Sequence, residues 1–282
     1  MKFDISEYNL PARGRLSIAL LSDIHNRPLN FIAGYLKKRR PDIIAITGDL
    51  IDGRILWYLK QNGLANRRTA VTDNCSEVMS FISQLAGIAP TYYSLGNHER
   101  ILTRYDIKQV KKTGVIVLDN AFKRINKHFL IGGLTSAAVI GTRAYRKNHK
   151  DWLWIDKKSL SQQELDEYHM AGIIPEYRWL DEFESKRGFK ILLSHHPEYW
   201  AVQEPMLCDR NIDLVCSGHV HGGQIRVMGH GLFAPGQGIL PRYAGGLSSN
   251  GDRNLIVSRG LANTAPVPRF GNPRELVWIN LY

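Results

Sequence analysis

Short apolar runs and stripes of helical period alternate along this chain. The runs at Leu16–Leu21, 43–46, 91–95, 190–193 and 213–216 are four to six residues long, which suits strands buried on both faces. Apolar positions recur at helical spacing over 29–39 and 77–87, and a shorter helix is predicted over 106–112. Further strands are expected near 115–118, 121–126 and 128–132, and the tail at 254–258 and 275–281 alternates in the manner of antiparallel strands. Repeated β–α alternation of this kind predicts an α/β fold. No repeat, low-complexity tract or Pro/Gly/Ser linker divides the chain, so 1–282 is expected to be a single domain.

Two stretches exceed what simple crossovers need. Residues 53–76 form a polar loop carrying Trp57 and Tyr58, and 137–189 carry Trp152, Trp154, Tyr168, Tyr177 and Trp179. Insertions of that length are either lids and binding elements or surface excursions with a small core of their own.

Composition narrows the class. An apolar content of 44% with 22% charged residues is that of an ordinary soluble globular protein. Lys+Arg 37 against Asp+Glu 26 leaves a formal charge of +11, which favours anionic partners: phosphorylated metabolites, nucleic acid or acidic lipid. The densest basic run, Lys37 to Arg40, falls where a helix is expected to end and suits the helix dipole without any partner. Cys75, Cys208 and Cys216 form no CxxC pair or zinc spacing and are read as reduced thiols, with Cys216 in a buried strand. The first residues lack the apolar core of a signal peptide, and no stretch approaches eighteen apolar residues. A cytoplasmic location is expected, with peripheral contact at the inner face of an anionic membrane open to it.

The chemistry lies just after the expected strands. They run into Ser22-Asp23-Ile24-His25, Thr47-Gly48-Asp49, Gly96-Asn97-His98-Glu99, Ser194-His195-His196 and Ser217-Gly218-His219-Val220-His221. Sites in α/β sheets form outside the carboxyl ends of strands, so these residues are expected in one pocket. If the segments are extended, Asp23 and His25 point the same way and can grip one ion; His219 and His221 can do likewise or reach two neighbouring ions. An oxygen and imidazole set without thiolate suits Mn, Fe, Zn, Co or Ni. It holds too many ligands for one cation and about enough for two, which at ~3.5–4 Å apart stabilise both oxygens of an in-line displacement. Asp49 is the candidate bridge.

In order and spacing, DIHN, GDLID, GNHER, SHHPE and GHVHGGQ resemble the motifs of the calcineurin-like metallophosphoesterases over residues 22–223. The stretches GHVHGGQIRV, LPRYAGG and VSRGLANTAPVPRFGNPRELV look like a bacterial subgroup with a GHxHGGQ signature, whose members are often tethered at the cytoplasmic membrane. The resemblance implies a four-layer α-β-β-α sandwich with two central mixed β-sheets. It also implies that Asp23, His25, Asp49 and His221 bind one metal, and that Asp49, Asn97, His195 and His219 bind a second. His98 would protonate the leaving oxygen or steady the phosphate, and a metal-bridging hydroxide would attack phosphorus. Glu99 stands where many members carry Asp, His196 competes with His195 for one ligand position, the N-terminal anchor common in the subgroup is missing, and 137–189 is longer than the subgroup leads one to expect.

The leading reading is a dimetal phosphodiesterase or phosphatase acting on a small phosphorylated substrate. Arg100, Arg226 and Arg242 are candidate phosphate clamps, since guanidinium matches phosphate oxygens bidentately. A membrane-surface pyrophosphatase acting on a lipid-linked or nucleotide-sugar substrate is the first alternative, and a non-catalytic binding module on the same fold the second. Nucleic acid is a less expected partner, because no recognition helix or RNA-binding motif is present, and no obligate protein partner is inferred.

Overall fold

A computed structural model describes residues 3–27, 29–55, 58, 59, 62, 70–148, 175–262 and 267–282. Trp57, Trp152, Trp154 and Tyr168 of the two long stretches lie outside the described residues. The first sheet contains β1 (Phe3–Leu10), β2 (Leu16–Leu21), β3 (Ile43–Thr47), β4 (Thr91–Ser94) and β5 (Ile116–Leu118). The second contains β6 (Ala121–Arg124), β7 (Phe129–Leu134), β8 (Phe189–Ser194) and β9 (Leu214–Ser217). Two small ribbons follow, β10 (Arg226–Val227) with β11 (His230–Gly231), and β12 (Phe233–Ala234) with β13 (Gly238–Ile239). The chain then adds β14 (Gly246–Asn250) and β15 (Arg253–Val257) to the second sheet and returns to the first with β16 (Arg274–Leu281).

Both sheets are mixed and six-stranded, in the orders β1-β16-β2-β3-β4-β5 and β14-β15-β9-β8-β7-β6. β2, β3, β4 and β5 run parallel to one another, as do β7, β8, β9 and β15. The tail strands are not simply antiparallel: β15 is antiparallel to β14 but parallel to β9, and β16 is antiparallel to β2 but parallel to β1.

The apolar runs of the central strands are continuous because both faces are covered. Ile18 and Leu20 of β2 point into a core shared by the two sheets, with Ile43, Ile131, Ile191, Leu193 and Ile256. Their neighbours Ala19 and Leu21 face outward, against α1 (Asn30–Arg39) and α2 (Ser76–Ala86), through Ile32, Leu36, Phe81 and Leu85. α3 (Arg104–Lys112) adds Val110 to the same layer. α4 (Ala137–Asn148) packs beside the turn His98–Ile101, and α5 (Trp179–Ser185) covers the far face of the second sheet with Leu180 and Phe183. The result is a sandwich of helices, sheet, sheet and helix. Cys75, Cys208 and Cys216 are all free and buried, and Cys216 lies in β9. No helix among the described residues is long and apolar enough to cross a membrane.

Candidate metal centre and family

Because β2, β3, β4, β8 and β9 all end at the same side of the sandwich, the segments after them converge. Glycines let them approach closely. A Cβ on Gly96 would lie 2.4 Å from Asp49 Oδ1 and 3.0 Å from the Gly48 Cα, and one on Gly218 would lie 2.6 Å from Asp23 Oδ2.

The turns are not extended. Asp23, His25, Asp49, His219 and His221 all adopt left-handed backbone, with φ between 47° and 70°. Asp23 and His25 therefore meet through two left-handed residues rather than through the i, i+2 geometry of a strand. Asp, Asn and His are among the few side chains that enter this region readily, so the residue types suited to holding a cation also suit the turn. Backbone of this kind concentrates at functional sites.

Two groups of donors result. Asp23, His25 and His221 form one, with His25 Nε2 3.8 Å and His221 Nε2 3.5 Å from Asp23 Oδ1. Asp49, His195 and His219 form the other, with His195 Nε2 3.1 Å from Asp49 Oδ2. Asp49 lies between them, since the same Oδ2 is 3.7 Å from His25 Nε2. The neighbouring histidine, His196, turns away: its Nε2 is 2.8 Å from Ser136 Oγ. Two further groups cluster among the described residues: His25, Asp52 and His98, where Asp52 is engaged by Arg54, and His196, Glu198 and His219, where Glu198 is engaged by Gln237 at 2.9 Å.

The buried atoms of this centre fit a cation better than they fit each other. Among the described residues, Asp23 Oδ1, both ring nitrogens of His25, Asn97 Oδ1 and His195 Nε2 are buried without a hydrogen-bond partner, apart from the 3.1 Å approach of His195 Nε2 to Asp49 Oδ2. Orphaned polar atoms are rare in folded proteins and costly. Five in one cluster, all of ligand type, match the chemistry of divalent metal binding. Their orientation is held from behind. Ser22 Oγ donates to Asp23 Oδ2 at 2.6 Å, and His195 Nδ1 lies 2.8 Å from the carbonyl of Thr47, which presents Nε2 to the centre.

The electrostatics agree for the carboxylates and for His219 and His221, whereas Asp49 raises His195 against burial to about 10, a proton that an arriving cation would displace. Burial disfavours the Asp49 carboxylate, yet the imidazoles of His195 and His98 hold its pKa well below the usual value. Asp23 is likewise lowered against burial by His221 and His25. Burial pushes His219 down to about 3, with His195 adding to the effect, and lowers His221 too, so both present neutral nitrogens with free lone pairs.

His98 faces the centre without belonging to either of the first two groups. Its Nε2 is 3.9 Å from Asp49 Oδ2, and its backbone N–H donates to Asp49 Oδ1 at 2.9 Å. Nδ1 has two neighbours that cannot both be used by one protonation state. It accepts from the Gly53 N–H at 2.8 Å when Nδ1 carries no proton, and it lies 3.5 Å from Asp52 Oδ1, to which it can donate only when Nδ1 carries one. Burial opposes protonation of His98, but Asp49 and Asp52 raise its pKa.

Sequence reasoning missed four contributors. Asp52 is held by Arg54, whose Nη2 donates to Oδ2 at 2.6 Å. Glu99 is a buried brace: its carboxylate accepts from the backbone N–H groups of Asp49, Ile51 and Gly96 at 2.9, 3.1 and 2.7 Å, tying the turn after β3 to the turn after β4. Arg269 is half-buried beside the first donor group, with Nη2 3.2 Å from His221 Nδ1 and donating to the Ala262 carbonyl at 2.6 Å, while Nε and Nη1 have no partner among the described residues. Glu198 is the fourth, buried two residues beyond His196. The expected clamps are placed differently. Arg226 donates from Nη1 to the carbonyls of Gly222 and Ala244 at 3.0 and 3.4 Å, and from Nη2 to that of Gly229. Arg242 is exposed beside the Tyr243 ring, and Arg100 is exposed on the His98–Ile101 turn.

The stretch that carries all five strand-end motifs, residues 16–223, matches the family model of the calcineurin-like phosphoesterases. This chain is a calcineurin-like phosphoesterase. It is accordingly a metal-dependent phosphoric ester hydrolase. Among relatives of this phosphoesterase, the metallophosphoesterase YkoQ of Bacillus subtilis is 26% identical over 284 residues, covering 95% of this chain and 84% of its own. A metallophosphoesterase of Aquifex aeolicus is 23% identical and covers 99% of this chain and 90% of its own. The phosphodiesterase YaeI of Escherichia coli is 26% identical over 260 residues, 87% of this chain and 75% of its own.

Proposed function

We propose that this phosphoesterase hydrolyses a small phosphodiester or phosphomonoester at a centre of two divalent cations. One would be held by Asp23, His25 and His221, the other by Asn97, His195 and His219, with Asp49 shared between them. The observation that carries this reading is the set of orphaned buried donors that converge on Asp49 from two sides. When bound, the cations would lower the pKa of a water at the centre and offset the charge that develops on phosphate oxygens.

The chain's own residues supply the rest. His98 presents Nε2 toward the centre, where a protonated imidazole can donate to the leaving oxygen. Asp52 stabilises that charged form through Nδ1. Arg269, with two guanidinium nitrogens that no described residue engages, lies beside His221 and is better placed than Arg226 to bind a phosphate oxygen. The printed name of the Escherichia coli relative, a phosphodiesterase, favours the diester as the first substrate class to test.

The test is hydrolysis of bis-p-nitrophenyl phosphate against p-nitrophenyl phosphate by protein stripped and reloaded with Mn²⁺, with Asp49→Ala and His98→Ala in parallel. Metal-dependent turnover that falls by about two orders of magnitude or more in both variants is the expected result, and the faster ester decides between diester and monoester. Wild-type turnover that survives either substitution unchanged would refute the assignment of that residue. Two bound metals with no turnover of either ester would favour a narrower substrate or a binding role.

A further inference from the structure

The two ribbons after the His219–His221 turn expose apolar side chains that the interior could have buried. Met228 is 95% exposed, Ile239 81%, Phe270 70% and Leu240 68%, with Phe233 and Val227 also exposed. They are not scattered. The Arg226 N–H donates to the carbonyl of Phe270, Leu232 donates to Ile225 and Leu240 donates to Leu232, each at 2.9 Å. Phe233 and Ile239 are direct cross-strand partners in β12 and β13. The whole set is therefore one hydrogen-bonded surface element. Exposed apolar side chains gathered on one such element mark an interaction site.

The element is held rigidly. Met228 and Leu240 are apolar residues at left-handed backbone, φ 49° and 52°, so the turns present them outward at a cost in backbone strain. Gln237 donates to Glu198 at 2.9 Å and exchanges hydrogen bonds of 3.1 and 2.8 Å with the backbone of Tyr243. Glu198 lies two residues beyond His196, and β12 and β11 pack on the turn His221–Gly223. Whatever docks on the ribbons lies beside the candidate metal centre.

Charge identifies the occupant. From 214 to 251 there is no Asp or Glu, and from 214 to 274 there are six arginines, at 226, 242, 253, 259, 269 and 274, against the single acid Asp252. Two copies of this chain meeting through the patch would bring like charges together, which is unfavourable. Arg259 is paired with Asp4 and Glu275, and Arg226 and Arg253 donate to backbone carbonyls, but Arg242 is exposed and residues 225–246 contain no carboxylate. Exposed apolar turns on a segment without acids, with an exposed arginine at the rim, suit the boundary of an anionic bilayer, where apolar groups enter the acyl region and arginine meets the headgroup phosphates.

We propose that the β10–β13 ribbons dock this phosphoesterase on an anionic lipid surface, through Met228, Phe233, Ile239, Leu240 and Phe270, with Arg242 at the rim. The site is independent of the metal centre, so binding is read without turnover. The full chain is sedimented with phosphatidylcholine vesicles and with the same vesicles containing phosphatidylglycerol, at low and at high salt. Binding confined to the anionic vesicles and weakened by salt is expected. Met228→Ser/Ile239→Ser should bind about tenfold more weakly, while circular dichroism and hydrolysis of the soluble ester match wild type; Arg242→Glu should also weaken binding. Failure of the wild type to bind anionic vesicles would overturn the proposal, as would equal binding by the double variant. So would a dimer, seen by sedimentation equilibrium, that the double variant dissolves, since the patch would then be covered by a second copy.

Discussion

Gly96 shows how narrow the tolerances at the centre are. Its φ is not left-handed, so the glycine is needed for space alone: a Cβ would lie 2.4 Å from Asp49 Oδ1 and 2.6 Å from the Asp49 nitrogen. Gly96→Ala should displace the turn that carries the shared carboxylate and weaken Mn²⁺ binding by about 10–100-fold, the usual effect of disturbing the shell behind metal ligands. Isothermal titration with Mn²⁺ checks this, and wild-type affinity in the variant would mean that the turn can yield without cost. Asp52 allows a test of sign. It raises the pKa of His98, and a group acting as a protonated acid loses activity as pH rises through its pKa. Asp52→Asn keeps the shape and removes the charge, so the alkaline fall of kcat/KM should move to lower pH. A fall that stays in place or moves upward would show that His98 is not the acid.

At the scale of elements, α3 illustrates how a helix remote from the strands' ends is tied into the sandwich. Thr103 and Asp106 form a reciprocal capping box, with the Asp106 N–H donating to Thr103 Oγ1 at 3.2 Å and the Thr103 N–H donating to Asp106 Oδ2 at 2.9 Å. The other carboxylate oxygen, Oδ1, accepts from the Thr72 N–H and hydroxyl, both at 2.9 Å, so one buried acid joins the helix to the segment leading into α2. Thr103→Ala should cost about 1 kcal/mol, as caps commonly do. Asp106→Ala should cost more, about 3 kcal/mol, because it also strands a buried backbone donor. Urea unfolding of the metal-loaded protein checks the order; a larger loss for Thr103→Ala would mean that the helix cap, not the cross-link, is the stronger contact.

For the whole molecule, the centre sits where the two sheets come together, so occupancy of the site and stability of the sandwich are linked. Asp49 and Gly48 belong to the first sheet's turns, His195 and Gly218 to the second's, and they touch. A cation that binds only the folded chain stabilises it by about 2.7 kcal/mol at a hundred times its dissociation constant. Chelation should therefore lower the melting temperature, and Mn²⁺ should restore it in the wild type but much less in Asp49→Ala. Calorimetry decides this, and equal restoration in the variant would place the stabilising ion elsewhere.

Much of this was legible before any coordinates. Continuous runs of Ile, Leu and Val identify strands covered on both faces, and the burial of Ile18 with Leu20 on one side and of Ala19 with Leu21 on the other is the reason the runs do not alternate. The polar residues after those runs were legible as candidate donors, because parallel strands put successive carboxyl ends on one side. Other features depended on contacts that linear order does not encode. β1 was not foreseen, since its strand pattern breaks at Ser6-Glu7 and its place is set by β16, some 270 residues later. The two-residue strands of the ribbons are too short and too rich in glycine to show a period. That the His195 ring faces Asp49 while His196 Nε2 meets Ser136 is a matter of sheet orientation that adjacent histidines in a sequence do not reveal. Glu99, Asp52 and Arg269 take their roles from backbone amides and rings brought up by other strands. Which residue types stand at the ends of which strands is local chemistry and can be read along the chain. Which buried atoms face one another across the centre depends on two sheets closing over a common core, and it took the folded arrangement to show them.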